Sequence, residues 1–176
     1  MLQQESCDVL ISLVNNILDM SRIESGKATI RESSNSINDI FTNIRPMLEE
    51  QAEGKNIALD FHISDIKDSQ VMCDIVHIHQ ILVNLITNAI KYTPDGGNVW
   101  VSVKQFDDYV DGRGIYEFTV KDNGYGMSPA YQKVAFEMFS REENSTTSGI
   151  QGTGLGLPLC KKITEMMGVL LEQQML

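Results

Sequence analysis

Apolar positions along the chain follow two rhythms, one of three to four residues and one of two. In LQQESCDVLISLVNNILDMSRIESG, residues 2 to about 25, Leu10, Leu13, Val14, Ile17, Met20 and Ile23 recur at helical spacing, which predicts one amphipathic helix ending before Gly26. The stripe is too apolar to lie alone in water, so this helix is expected to pack in a hairpin or bundle. A polar connector, KATIRESSNSINDI, leads to a second helix built on Ile40, Phe41, Ile44, Leu48 and Ala52, with Asn35, Ser36 or Asn38 as its cap and Gly54 as its stop. Pro46 falls inside it without a backbone donor, so a kink or a restart is expected there. NIALDFHI then alternates, placing Ile57, Leu59, Phe61 and Ile63 on the buried face of a strand.

Asp74 can cap a helix running from 75 to about 92. On a helical projection Ile75, Ile78, Leu82, Leu85, Ile86 and Ala89 share one side, while Asn84, Asn88, Lys91 and Tyr92 share the other, each set within about 100°. One face suits a core and the other a ligand. TPDGG ends this helix, and NVWVSVKQF alternates Val99, Val101 and Val103 as a strand. DDYVDGRG reads as a polar turn, and IYEFTVKDNG alternates Tyr116, Phe118 and Val120, so the two strands should form an antiparallel hairpin. Ser128-Pro129 starts a helix for AYQKVAFEMF, REENSTTSGIQGTG reads by composition as a loop, and LGLPLCKKITEMM opens a last helix with Pro158 in its first turn. Helices interleaved with hairpin-joined strands predict an α+β two-layer sandwich.

Charge narrows the chemistry. The 176 residues carry 24 acidic and 14 basic side chains, a net −10, which argues against nonspecific binding to nucleic acid or to an anionic membrane. An anionic ligand must then be held locally, by backbone amides, a metal ion or a few placed cations. Cys7, Cys73 and Cys160 are far apart and form no CxxC pair, as expected of reduced thiols in a cytosolic protein. No apolar run approaches the ~18 residues of a membrane span, so this stretch is expected to make no membrane contact of its own; a membrane-anchored parent stays open.

Three motifs carry candidate chemistry. In DNGYGM, residues 122–127, Asp122 ends a strand on its buried side, where a carboxylate needs a partner: the exocyclic amine of a purine, a turn amide or an ordered water. Gly124 and Gly126 allow a sharp turn and a close approach to a ligand. GTGLGL, residues 152–157, opens a helix whose free amides suit phosphate; it resembles half of a dinucleotide fingerprint but has GxGxG spacing and no preceding strand. A GxxxxGK[ST] loop is absent, since Gly26-Lys27 and Gly54-Lys55 are followed by Ala and Asn. On the polar helix face, Asn88 offers a neutral oxygen to Mg²⁺, Lys91 a charge to phosphate and Tyr92 a ring to a base.

In this order the motifs resemble the ATP-binding catalytic domain of bacterial two-component sensor histidine kinases, within the superfamily of gyrase-type and mismatch-repair ATPases. NLITNAIKYTP is similar to the kinase N box, DNGYGM to the G1 box, FEMFSR to the F box and GTGLGL to the G2 box, while LDMSRIESGK resembles the end of the dimerisation and phosphotransfer hairpin. The resemblance implies that residues 1–27 are the C-terminal part of that hairpin and 28–176 the ATP-binding domain. It implies that Asn88 ligates Mg²⁺, Asn84 supports the site, Lys91 and Arg141 meet phosphates, and Tyr92 packs on adenine. Asp122 would bond the adenine amine, Gly124 and Gly126 would shape its pocket, and Gly152, Thr153, Gly154, Leu155, Gly156 and Leu157 would form the lid hinge and offer amides to the phosphates. Phe136 and Phe139 would anchor a lid over about 127–151. ATP and Mg²⁺ are the implied cofactors, and a second copy and a response-regulator receiver domain the implied partners, in the cytoplasm.

Two departures qualify the resemblance. The acceptor histidine of such kinases lies in an H-E-x-x-T-P-like motif, and His62, His77 and His79 do not; a ligand role for His77, on the Asn84 face, competes with capping or solvation. After TEMMG the family continues into two further strands, whereas this chain reads VLLEQQML, so Val169–Leu171 is expected to form at most a stub of strand, with the closing C-terminal strands missing and the exposed edge costing stability or inviting association. The leading expectation is therefore an ATP-dependent protein-histidine kinase module that cannot autophosphorylate alone. The alternatives are a degenerate nucleotide-binding module working through dimerisation, and a pure interaction protein.

Overall fold

A computed structural model describes residues 2–110, 113–142 and 152–172, with side chains from Leu10 onward. The chain forms two compact units, one of residues 31–126 and one that joins residues 1–30 to 127–176. The fold is α+β.

In the central unit, β1 (Ser33–Ser36) pairs antiparallel with β3 (Gln70–Cys73), while β2 (Ala58–Ser64), β4 (Asn98–Val110) and β5 (Arg113–Asp122) form a second sheet in the order β2-β4-β5. β2 runs parallel to β4, with Phe61 opposite Val101, and β4 runs antiparallel to β5, with Val101 opposite Val120. Helices α2 (Ile37–Thr42), α3 (Arg45–Glu53) and α4 (Ile75–Tyr92) supply the second layer. Ile37, Ile40, Leu48 and Ile86 interlock with Val99, Val101 and Val103, each exposed by 1% or less, and Phe41 meets Phe61 edge-on at 5.7 Å. Each such aliphatic side chain contributes roughly 1.5–3 kcal/mol on burial.

The expected restart at Pro46 divides the second helix: α2 ends at Thr42 and α3 opens with Pro46 in its first turn. Ser36 is the cap, accepting from the Asn38 amide at 3.2 Å. Three expectations need correction. The connector hides β1, whose SSNS has no apolar period and is held instead by pairing with β3 and by the Asn35 amide on the Cys73 carbonyl. Ile63, expected to be buried, lies at the end of β2 and is 38% exposed. DDYVDGRG is not simply a turn: β4 continues to Val110 through an irregularity between Gln105 and Tyr109, because Tyr109 Oη donates to Asp68 Oδ2 at 2.8 Å and Val110 pairs with Arg113. After α6 (Gly156–Met167), Val169–Leu171 forms no strand; the Val169 amide is committed to the Thr164 carbonyl in the cap at Gly168.

In the other unit, α1 (Leu2–Glu24) packs against α6. Met20 is buried and Leu13 and Ile23 are half-buried, but Leu10, Val14 and Ile17 stay between 45% and 59% exposed, so half of the described stripe is uncovered within one chain. The helix expected from AYQKVAFEMF shrinks to α5 (Pro129–Gln132), capped by Ser128 as foreseen. Beyond it Val134 and Glu137 donate to carbonyls three residues back, making successive tight turns instead of a helix.

Asp74, 3% exposed, governs the entry to α4. Its Oδ1 accepts from the His77 amide at 3.2 Å, and its Oδ2 accepts from the Arg31 amide at 2.7 Å and lies 2.8 Å from His77 Nδ1. Burial pushes this carboxyl upward, but the Arg31 amide and the His77 ring and amide outweigh it and hold Asp74 below the usual carboxylate range. A depressed carboxyl stabilises the fold above its unfolded value, and that contribution disappears as pH falls through the folded value. Asp74→Ala is therefore expected to cost about 2 kcal/mol at neutral pH, from the lost cap and the orphaned amide. It should also flatten the acid limb of stability against pH, as read by urea unfolding between pH 3 and 7; an unaltered limb would show that Asp74 does not drive it.

Candidate functional site

The polar face of α4 emerges where its sequence pattern places it. Leu82, Ile86, Ala89 and Ile90 are buried, while Asn84, Asn88, Lys91 and Tyr92 are half-buried on the other side. Asn84 Nδ2 donates to the Gln80 carbonyl at 3.0 Å, one turn back, so the amide is oriented with its oxygen at the outer end. Lys91 Nζ lies 4.8 Å from the centre of the Tyr92 ring. Thr93, fully buried, closes the helix by donating its hydroxyl to the Ala89 carbonyl at 2.7 Å.

The Asp122–Gly126 turn docks on this helix end by backbone contact. The Tyr125 amide donates to the Tyr92 carbonyl at 3.1 Å, and a Cβ on Gly124 would stand 2.3 Å from that carbonyl oxygen. Gly126 has φ +68°, a left-handed conformation. Asp122 is exposed, not buried, because β5 ends there; its Oδ1 accepts from the Gly124 amide at 2.8 Å, the turn-amide alternative among its possible partners. Asn123, which sequence reasoning passed over, accepts from the Asn98 amide at 2.8 Å and ties the turn to the start of β4. Its signal was the middle position of D-N-G. Seven of the expected residues, Asn84, Asn88, Lys91, Tyr92, Asp122, Gly124 and Gly126, thus sit on one helix and the turn docked to it.

The remaining candidates belong to the other unit. Gly154, at φ +68°, comes so close to Phe139 and Ser140 that a Cβ would meet the Ser140 carbonyl at 2.8 Å, and its own carbonyl accepts from the Phe139 amide at 3.0 Å. Leu155 is buried, its amide reaching Thr153 Oγ1 at 3.4 Å, and α6 begins at Gly156 and Leu157 with no side-chain cap. Gly152 is half-buried and Arg141 exposed. Phe136 is half-buried with Lys161 Nζ 6.0 Å from its ring, but Phe139 is 62% exposed and its φ is +61°, so its backbone, not its ring, makes the anchoring contact. Residues 143–151 of the expected lid lie outside the described residues.

The signature of the family described as histidine kinase-, DNA gyrase B-, and HSP90-like ATPases matches residues 73–174, from the start of α4 through both glycine turns. The chain belongs to this ATPase family. Sensor protein GacS of Pseudomonas syringae pv. syringae is 32% identical over 165 residues, 94% of this chain and 18% of GacS. Sensory/regulatory protein RpfC of Xanthomonas campestris pv. campestris is 30% identical over 165 residues, 94% of this chain and 23% of RpfC. The chain thus spans about a fifth of the length of these relatives. Full-length ShkA, solved in complex with AMPPNP, superposes with a TM-score of 0.75 at 27% identity, covering 93% of this chain and 32% of that one.

Among the described residues no three His, Cys, Asp or Glu side chains come together as a metal cluster. A half-buried Asn88 amide fits an ion that takes one neutral protein oxygen and fills its shell with phosphate oxygens and water. His77 stands beside Asp74 at the helix entry, the capping alternative, and His62 lies on the outer side of β2. Burial pushes His79 below its ordinary value despite a bond to the Ile40 backbone. Burial also pushes Cys160 up to about 12 and Cys73 upward, which keeps both as unreactive thiols.

Proposed function

We propose that this chain is the ATP-binding kinase module of a two-component sensor histidine kinase, which transfers the γ-phosphoryl of Mg-ATP to a histidine outside residues 1–176. The docking of the Asp122–Gly126 turn onto the end of α4 carries the reading, because it sets Asp122 beside the helix end bearing Lys91 and Tyr92. Asp122 binds the adenine amine, with Gly124 and Gly126 admitting the base and Tyr92 covering it. Asn88 holds Mg²⁺, supported by Asn84, and the ion neutralises charge across the phosphate oxygens. Lys91, Arg141 and the amides of Gly152–Leu157 receive the phosphate chain. Such transfer relies mainly on positioning and charge neutralisation, which is what these residue types supply.

Residues 1–27 act as the end of a dimerisation hairpin, in keeping with the uncovered half of the α1 stripe, and 28–176 as the ATP-binding domain. A second copy and a receiver domain are the partners, in the cytoplasm. No helix among the described residues is long and apolar enough to cross a membrane. A second reading, a nucleotide-binding or degenerate module that acts through dimerisation or protein interaction without catalysis, is supported by the placing of His62, His77 and His79 outside any acceptor motif.

Titration with ADP and AMPPNP, with and without Mg²⁺, tests the nucleotide site. At a hundredfold excess over Kd the nucleotide should add about 2.7 kcal/mol, a rise in Tm of roughly 5–10 °C. No shift would remove the ATP-binding reading. Addition of a separate fragment bearing an acceptor histidine then divides the two readings, since only the kinase would label it from γ-labelled ATP.

A further inference from the structure

Lys55 follows Gly54 in the loop between α3 and β2, where the sequence offers it only as part of a failed phosphate-loop match. Its Nζ donates to the carbonyls of Ile90 at 2.9 Å, Lys91 at 3.1 Å and Thr93 at 2.5 Å. An ammonium has three protons and no acceptor, and here three carbonyls meet them. They belong to the last turn of α4 and its cap, where helical carbonyls lack partners along the chain and where a cation complements the helix dipole. The Tyr92 carbonyl, between them, accepts from the Tyr125 amide. All four consecutive carbonyls from Ile90 to Thr93 are therefore held by groups distant in sequence.

The loop is shaped to deliver this side chain. Asn56 takes a left-handed φ of +52°, which turns the chain directly after Lys55. The Lys55 carbonyl accepts from the Gly96 amide at 3.1 Å, and the Ala58 amide donates to the Gly97 carbonyl at 3.0 Å, so the segment is clasped to the chain leaving α4 on both sides. The side chain is half-buried.

We propose that Lys55 is a positioning residue for nucleotide binding: its ammonium fixes the carbonyl end of α4, and with it Lys91, Tyr92 and the docked Asp122–Gly126 turn. The inference rests on the nucleotide-binding reading above. Without the ammonium three carbonyls lose their partner together, the last turn of α4 loosens, and Tyr92 no longer offers Tyr125 a fixed acceptor. Lys55 acts through these groups and makes no contact of its own with the nucleotide.

The test compares the full chain with Lys55→Met and Lys55→Arg in Mg-AMPPNP affinity and in amide exchange at Tyr125 and at Val101, which lies in the middle of β4. Lys55→Met is expected to weaken binding about tenfold and to speed exchange at Tyr125 while leaving Val101 protected; Lys55→Arg, which keeps the charge and several donors, should recover most of both effects. Unchanged affinity in Lys55→Met, or equal acceleration at Val101 and Tyr125, would overturn the proposal, the second by making Lys55 a general stabiliser. If the unaltered chain binds no nucleotide, the nucleotide-binding reading itself fails and takes this inference with it. Should Lys55→Met not fold, Lys55→Gln, which keeps two N–H donors without the charge, is judged by the same outcomes.

Discussion

Asn88→Ala is expected to remove the magnesium-dependent part of nucleotide affinity, a loss on the order of a hundredfold, while Tm stays within about 2 °C of its original value. The two halves of this result come from two faces of one helix. Asn88 is half-buried on the polar side of α4, whereas the neighbouring Ala89 and Ile90 are buried on the other. Alanine is the stronger helix former, so the substitution costs the helix nothing locally. A magnesium ion held by one protein oxygen and the phosphates, by contrast, loses its protein ligand outright. Titrating ADP with and without Mg²⁺ separates the effects. Equal affinity with and without the ion in Asn88→Ala, against a clear difference in the original chain, is the expected pattern; an unaltered magnesium dependence would move the metal to another residue.

The helix was legible because its two faces differ in chemistry at a fixed angular spacing, and Ile86 and Asn88 could be assigned to opposite sides from the sequence alone. The β4–β5 pair was legible for a similar reason, since Val99, Val101 and Val103 alternate with the outward-facing Trp100, Ser102 and Lys104 and all three valines are buried. Elements without a period were invisible. β1 is SSNS, and only its pairing with Gln70–Cys73, some 37 residues away, makes it a strand. The reach of β4 past Gln105 depends on Asp68, whose carboxylate receives both the Gln105 amide at 2.9 Å and the Tyr109 hydroxyl at 2.8 Å. Such long-range polar contacts leave no local trace in composition. Counting by twos placed Asp122 on the buried face correctly in phase, but phase says nothing about where a sheet stops covering its own end. Lys55 shows the same limit from the functional side: its role lies in three carbonyls 35 to 38 residues away, and no motif announces it.

Gly124→Ala should be among the most damaging small substitutions in the chain, although it adds a single methyl group. The new Cβ would stand 2.3 Å from the Tyr92 carbonyl oxygen, 2.9 Å from the Tyr92 carbonyl carbon and 2.8 Å from Asp122 Oδ1. Two of these obstacles are backbone at the end of α4, so no rotamer change relieves them; the turn must lift from the helix. Lifting it breaks the Tyr125–Tyr92 bond and moves Asp122, coupling a stability loss of about 2–3 kcal/mol to a loss of nucleotide affinity. Gly96→Ala provides the contrast. Gly96 has φ +78° and open space around its Cβ position, so alanine there incurs only left-handed strain, about 1–2 kcal/mol. Thermal unfolding and AMPPNP titration of the two variants should therefore diverge: both lose stability, but only Gly124→Ala loses most of its affinity. Equal affinities in the two would mean that the close approach of the turn to Tyr92 is a packing detail and that the adenine is held elsewhere. A divergence would tie nucleotide binding to the Tyr125–Tyr92 contact between the D-N-G turn and the polar helix.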